Sequence, residues 1–199
     1  MIKIKILEKS TIDFSYSSLW YGLLLSGLFA LLTGISAQIK FFLPFTPVPL
    51  TVQTMVVLAG GALLGKKWGS LSQLIYIVLG SAVGPFFAGG MQGWLYLTGP
   101  TTGYLMGFLL AAYFVGYAVN RKQISPFKIF QIMLFANFVL IHLPGMSYLA
   151  YWHYCLTGTV LNPWKLLCLG SFPFILGDLI KISLAAGFSA WFIQKKNEM

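Results

Sequence analysis

Asp178 and Lys181 are the side chains of this sequence best placed to do chemistry. Both stand in a long apolar stretch, Pro173 to Ile193, where an ionised side chain at a helix centre costs about 2.5 to 3.5 kcal/mol. Their i, i+3 spacing puts them on one helical face. A mutually neutralising pair that merely tolerates burial is one reading. The other is a ligand site: Pro173 and Gly177 set the pair in the first turns of a helix, within reach of a water-filled outer vestibule. A lysine near a helix start also opposes the macrodipole, and an anionic ligand group would explain it.

Few other polar groups lie near enough in the chain to join them. Residues 41–50 carry Pro44, Pro47 and Pro49 between apolar neighbours. Proline fixes its own torsion and extends the residue before it, so this loop is a stiff apolar lid. Thr51 and Gln53 follow it directly, with helix capping as the alternative role for Thr51. Residues 84–104 are charge-free and rich in glycine and aromatics. Irregular backbone at membrane depth survives only where protein or a cavity satisfies it, so this segment reads as a loop capping a site. Its glycines, Gly89 and Gly90 among them, let backbone approach a ligand. Trp94, Tyr96 and Tyr104 offer walls with polar tips, although Trp94 and Tyr96 equally suit an interfacial belt.

Catalytic constellations are missing. Residues 60–67 resemble a phosphate loop until Lys67, which stands where a magnesium-binding hydroxyl belongs. His142 and His153 are separated by no carboxylate and follow no metal-ligand spacing, so His142 reads as a packed or cavity-lining residue. With no second acid in the membrane and no nucleophile elbow, the chain is not expected to be an enzyme.

The elements that carry these residues follow from composition. Of 199 residues, 58% are hydrophobic and only 9% charged, far from a soluble domain's balance, so lipid is the main solvent. A crossing helix needs about 20 apolar residues, and the charge-free runs accommodate six spans: about Leu19 to Ala37, Leu50 to Leu64, Ser70 to Val83, Gly103 to Val119, Phe127 to Leu143, and Pro173 to Ile193. The expected fold is an all-α membrane protein with irregular outer loops capping a binding cavity. Residues 1–18 form a cytoplasmic segment, 19–193 the membrane domain and 194–199 a cytoplasmic tail. With both termini inside, the inner segments carry Lys3, Lys5, Lys9, Lys66, Lys67, Arg121, Lys122, Lys128, Lys195 and Lys196, and the outer ones only Lys40 and Lys165. The net charge of +9 is thus topology, not a nucleic-acid patch. The N-terminus does not read as a cleavable signal. Cys155 and Cys168 fall in the outer segment 145–172 and read as packing residues, with a disulfide as the alternative. On the first span, Gly22, Ser26, Ala30 and Gly34 recur every four residues, a stripe that admits a close helix from inside or outside the chain.

Four stretches together resemble the BioY family, the biotin-binding subunits (S components) of energy-coupling-factor transporters. They are Pro47-Val48-Pro49-Leu50-Thr51-Val52-Gln53-Thr54, Leu71-Ser72-Gln73-Leu74-Ile75-Tyr76, Phe87-Ala88-Gly89-Gly90 with Gly99-Pro100-Thr101-Thr102-Gly103-Tyr104, and Pro173-Phe174-Ile175-Leu176-Gly177-Asp178-Leu179-Ile180-Lys181. Thr102 stands where a glycine is expected, and Pro144 is an extra proline where the fifth span should end. The resemblance implies high-affinity capture of biotin as a transported ligand at the cytoplasmic membrane, with no cofactor. In that case Lys181 suits the carboxylate and Asp178 the ureido donors, or the pair jointly contacts one end. Gln53, Thr51, Tyr76 and Tyr104 become secondary polar contacts, and Trp94 or Phe87 flanks the ring. The implied partners are a coupling membrane subunit and ATP-binding-cassette ATPases, with Gly22, Ser26, Ala30 and Gly34 as the docking face. A homo-oligomer is compatible with the sequence. Another small anionic vitamin as ligand, or a scaffold subunit without a ligand, are the competing readings.

Overall fold

The computed structural model describes residues 18–82, 84–90, 93–119 and 124–198. Lys3, Lys5, Lys9, Arg121 and Lys122, and with them most of the expected N-terminal segment, lie outside the described residues. Helix α1 (Ser18–Gln38) matches the first expected span. Its small-residue stripe is its inner face, with Gly22, Ser26, Ala30 and Gly34 all buried. A Cβ on Gly22 would run into the Trp68 indole and one on Gly34 into the Phe86 ring. Ser26 Oγ donates to the Trp68 carbonyl at 3.0 Å. Within the chain, Trp68 and Phe86 thus lie against Gly22 and Gly34 of the stripe expected to dock a partner. Gly22→Leu and Gly34→Leu should accordingly lower the melting temperature of the purified protein, at an overpacking cost of about 1–3 kcal/mol. Unchanged melting would return the stripe to an outside partner.

Helix α2 (Gln53–Ala82) is interrupted at Gly65, whose φ of 83° and ψ of 175° are not helical. In a straight helix Gln53 and Tyr76 would stand about 35 Å apart, yet Gln53 Nε2 donates to Tyr76 Oη at 2.7 Å. The two arms, 53–64 and 66–82, are therefore folded back on each other at a residue free to adopt positive φ. A Cβ on Gly69 would lie 2.9 Å from Gly61 Cα, which shows how closely the arms meet. The arms correspond to the second and third expected spans, with Lys66 and Lys67 exposed at the bend.

Between α1 and α2 the proline-rich segment closes as a hairpin of β1 (Lys40–Phe41) and β2 (Leu50–Thr51), with Lys40 opposite Thr51 and Phe41 opposite Leu50. The fold is thus helical with one small antiparallel ribbon. The ribbon's loop is tied down where Thr46 Oγ1 donates to the Leu169 carbonyl at 2.6 Å.

Helix α3 (Thr102–Ala118) covers the stretch where a fourth span is expected and packs on α2, on α5 and on the turn that precedes α5. After it come α4 (Pro126–Phe135), a π-helical turn (Ala136–Ile141) and α5 (His142–Thr157) as one continuous apolar helix. The expected end at Leu143 is overrun despite Pro144. A proline ring collides with the carbonyl four residues back in an α-helix, and the wide turn just upstream relaxes that geometry. Helix α6 (Pro163–Gly170) starts on Asn162, whose Oδ1 accepts from Lys165 N at 3.0 Å. A 3₁₀ turn (Phe172–Phe174) leads into α7 (Ile175–Glu198). The outer segment 145–172, expected to be irregular, is therefore largely helical, and Cys155 and Cys168 within it are unpaired.

Three described stretches are long and apolar enough to cross a membrane, Leu19–Gln38, Pro126–Thr157 and Pro163–Lys196, with Thr102–Ala118 a shorter apolar helix. Large apolar side chains cover the outside of the bundle, among them Trp20, Leu24, Tyr117 and Leu176. Small residues let helices meet inside. A Cβ on Gly107 would stand 2.6 Å from Ile141 Cα and from the Leu140 carbonyl, and one on Gly103 would strike the Pro144 carbonyl. Helix α3 therefore lies with its glycines directly against the backbone around the π turn.

Candidate functional site

Helix α7 turns Asp178, Ile182, Ala185, Ser189 and Ile193 inward at helical spacing. That register carries Asp178 into the bundle, where it is 2% exposed. Lys181 Nζ lies 2.6 Å from Asp178 Oδ1 and donates to the Thr51 carbonyl at 2.9 Å. The charged pair thus ties α7 to the ribbon. Asp178 Oδ2 accepts from Asn137 Nδ2 at 2.8 Å and faces His142 Nε2 at 2.9 Å. Since a carboxylate only accepts, Nε2 carries the proton; in the neutral imidazole Nδ1 then accepts from Ser171 Oγ, 2.9 Å away. Phe138, Tyr104 and Phe174 surround the His142 ring with centroids 5.0, 6.1 and 6.3 Å away, and they hold its orientation. A buried carboxylate needs this many donors, because an unpaired charge there would be far more costly than a paired one.

A second network begins on the ribbon. Thr51 Oγ1 donates to Gln53 Oε1 at 3.0 Å, and Gln53 Nε2 reaches fully buried Tyr76. Between the two networks lies a cavity of about 50 Å³. Its polar wall includes Thr51, Gln53, Thr54, His142, Asp178 and Lys181, and its apolar wall includes Val48, Tyr96, Phe108 and Phe174. Tyr104 also lines it, its hydroxyl donating to the Gly170 carbonyl at 2.7 Å. The hydroxyl of Thr54 is buried without a protein partner. In a native protein such an orphan calls for an explanation, and a ligand acceptor or donor supplies one.

Of the residues expected at the site, Asp178, Lys181, Gln53, Thr51 and Tyr104 come together around this cavity. Tyr76 stands behind Gln53 and fixes its amide, outside the lining. Gly89 and Gly90, with φ of 95° and 68°, make the turn that carries Ala88 to the wall and do not line it themselves. Trp94 is 68% exposed, and Tyr96 takes the wall position expected of it. Phe87 is fully buried, stacked on Tyr96 at 4.4 Å and edge-on to Tyr76 at 5.7 Å, so it supports the wall from the core. Asn137 and Ser171 were not anticipated, and His142 only as a packed or cavity-lining residue.

Asn137 and His142 are five residues apart. In an α-helix that spacing turns side chains about 140° from each other, so no periodicity flags them as neighbours. The π turn, which closes through i→i+5 bonds, brings them onto one side. The arrangement offers a carboxylate acceptor, an ammonium donor and neutral hydroxyl and amide groups around an aromatic slot. That suits binding a small molecule with a polar, planar, uncharged head.

Comparison with known proteins agrees with this geometry. The BioY family model matches residues 10–196. A protein named "Probable biotin transporter BioY" from Methanothermobacter thermautotrophicus is 44% identical over 65% of this chain and 83% of its own. "Biotin transporter BioY" from Thermotoga maritima is 34% identical over 82% of this chain and 90% of its own. Among solved structures, the S-component for biotin from an ECF-type ABC transporter superposes with a TM-score of 0.79, at 22% identity, over 92% of this chain and 95% of that one, a likeness of fold. With a family match across nearly its whole length, this chain belongs to the BioY family.

Proposed function

We propose that this chain captures biotin with high affinity and serves its uptake as the substrate-binding subunit of an energy-coupling-factor transporter. The observation that carries the reading is the buried Asp178–Lys181 pair set into the wall of a cavity under the ribbon. The pair sums to no net charge, so it suits a neutral polar group better than a free anion. The ureido head of biotin is such a group: its N–H donors meet Asp178 and its carbonyl accepts from Lys181. This favours joint contact of the pair with one end of the ligand over a division between the two ends. Tyr96, Phe108 and Phe174 then flank the thioether ring.

Titration of the purified protein with biotin, thiamine and riboflavin tests the reading. Submicromolar binding of biotin alone is expected; its absence would overturn the assignment. Thr54→Val should weaken biotin binding about three- to tenfold with an unchanged melting temperature, the effect of losing one neutral hydrogen bond.

The wider reading has six spans in the cytoplasmic membrane with both termini inside, a membrane domain over 19–193 and cytoplasmic ends at 1–18 and 194–199. Supporting it, Lys195 and Lys196 share a groove with Leu63 and Leu64, so the exposed Lys66–Lys67 bend and the end of α7 lie on one side, far from Lys181. The partners are a coupling membrane subunit and ATP-binding-cassette ATPases, and the chain itself is not an enzyme. The partner surface is the α1 stripe of Gly22, Ser26, Ala30 and Gly34 or, since Trp68 and Phe86 lie against that stripe, the neighbouring groove between α1, the first arm of α2 and α7. The groove measures about 940 Å³ and is lined by Leu25, Phe29, Met55 and Phe188 among others.

A further inference from the structure

We propose that Lys40 on the ribbon is the counter-ion for the ligand's carboxylate and sets the preference for a free acid over its neutral derivatives. The inference rests on biotin being the ligand. It starts from a charge that the inner site leaves unmet. Lys181 is committed to Asp178 at 2.6 Å and to the Thr51 carbonyl at 2.9 Å, and the pair is already neutral. A ligand whose head fills that end brings its carboxylate to the mouth, where a nearby cation outside the pair would attract it.

The ribbon supplies one. Lys40 lies directly opposite Thr51 in the antiparallel register. Side chains of directly opposed residues share one face of the ribbon with Cβ atoms about 5 Å apart. Thr51 lines the cavity and turns its hydroxyl to Gln53, so Lys40, itself outside the lining, stands beside the cavity's edge at Thr51. Just past the strand, Lys40 Nζ stands 5.6 Å from the ring of exposed Phe42. That cation–π contact steadies the ammonium and leaves its N–H donors free for an anion. Lys40 is half-buried, and no carboxylate pairs with it among the described residues. The other outer cation, Lys165, is exposed at the start of α6 and borders neither the cavity nor the ribbon strands.

The test is a titration of wild type, Lys40→Met, Lys40→Arg and Lys165→Met with biotin and with biotinamide, which keeps the head and loses the charge. Wild type should bind biotin about tenfold tighter than the amide, the scale of one charge-assisted hydrogen bond. Lys40→Met should bind both ligands at the wild-type amide affinity, Lys40→Arg should keep the preference, and Lys165→Met should leave it unchanged. The amide affinity doubles as the check that the variant is folded. An undiminished preference for biotin in Lys40→Met, or an equal loss for both ligands, overturns the role of Lys40 and leaves the biotin reading standing. Failure of wild type to bind either ligand overturns the biotin reading and this inference together.

Discussion

Asp178→Asn should abolish high-affinity biotin binding and destabilise the helical bundle, whereas Asp178→Asn combined with Lys181→Met should regain most of the stability and none of the binding. The two carboxylate oxygens take up Asn137 Nδ2, His142 Nε2 and Lys181 Nζ, all within 2.9 Å. An asparagine offers one acceptor and an N–H₂ that must point at one of those donors. It also strands the lysine charge in a site that is nearly dry. Breaking a buried pair from one side costs about 3–5 kcal/mol, while replacing both partners with neutral groups is often close to neutral. Affinity should fall about a hundredfold or more, since the ureido N–H groups lose a charged acceptor. Calorimetric titration with thermal unfolding of the single and double variants separates the two effects. Wild-type affinity in Asp178→Asn would show that the pair is structural only.

Gly107→Leu carries the other large effect, although the residue touches no ligand. Its missing side chain lets α3 rest on the backbone at Leu140 and Ile141, and even a methyl group there would stand 2.6 Å from main-chain atoms. Backbone cannot rotate aside as a flexible side chain can. The substitution must therefore push away the turn that aligns Asn137 and His142 behind Asp178. We expect a loss of at least about 3 kcal/mol of stability, the upper range of overpacking, together with loss of biotin binding. Gly107→Ala should be milder in both. Gly177→Ala is the control, because a Cβ there meets only Leu50, at an ordinary 3.6 Å. If Gly107→Leu melts and binds like wild type, the close approach of α3 to the π turn is not what positions the site.

What could be read from the sequence differs sharply by residue. Asp178 and Lys181 were legible because a charge in an apolar run has a known cost and helical spacing pairs them. Thr51 and Gln53 were legible as polar groups following a stiff loop. Asn137 escaped because its alignment with His142 depends on a π turn, and an α-helical period separates the two. The stripe on α1 is legible in the spacing, but spacing alone does not say which helix, side chain or partner meets it, and only the structure sets Trp68 and Phe86 against Gly22 and Gly34. Meanwhile Gly103, Gly107 and Ala111 repeat the same four-residue interval on α3, and that stripe is the one that brings backbone to the site. Pro144 reads as a stop only where the turn before it is α-helical, and the π turn there lets α5 run on to Thr157. The start of α6 had its signal in Asn162-Pro163, a cap followed by a proline at the first helical position.

The fold of α2 at Gly65 has a consequence for the lipid around the protein. Its first arm, residues 53–64, is about 18 Å long at 1.5 Å per residue, well short of the ~30 Å hydrocarbon core. The continuous helix Pro126–Thr157 is 32 residues, or about 48 Å. No residue of the first arm is exposed, so the thickness that lipid meets is set by its longer neighbours, and the arm can be short without a hydrophobic mismatch.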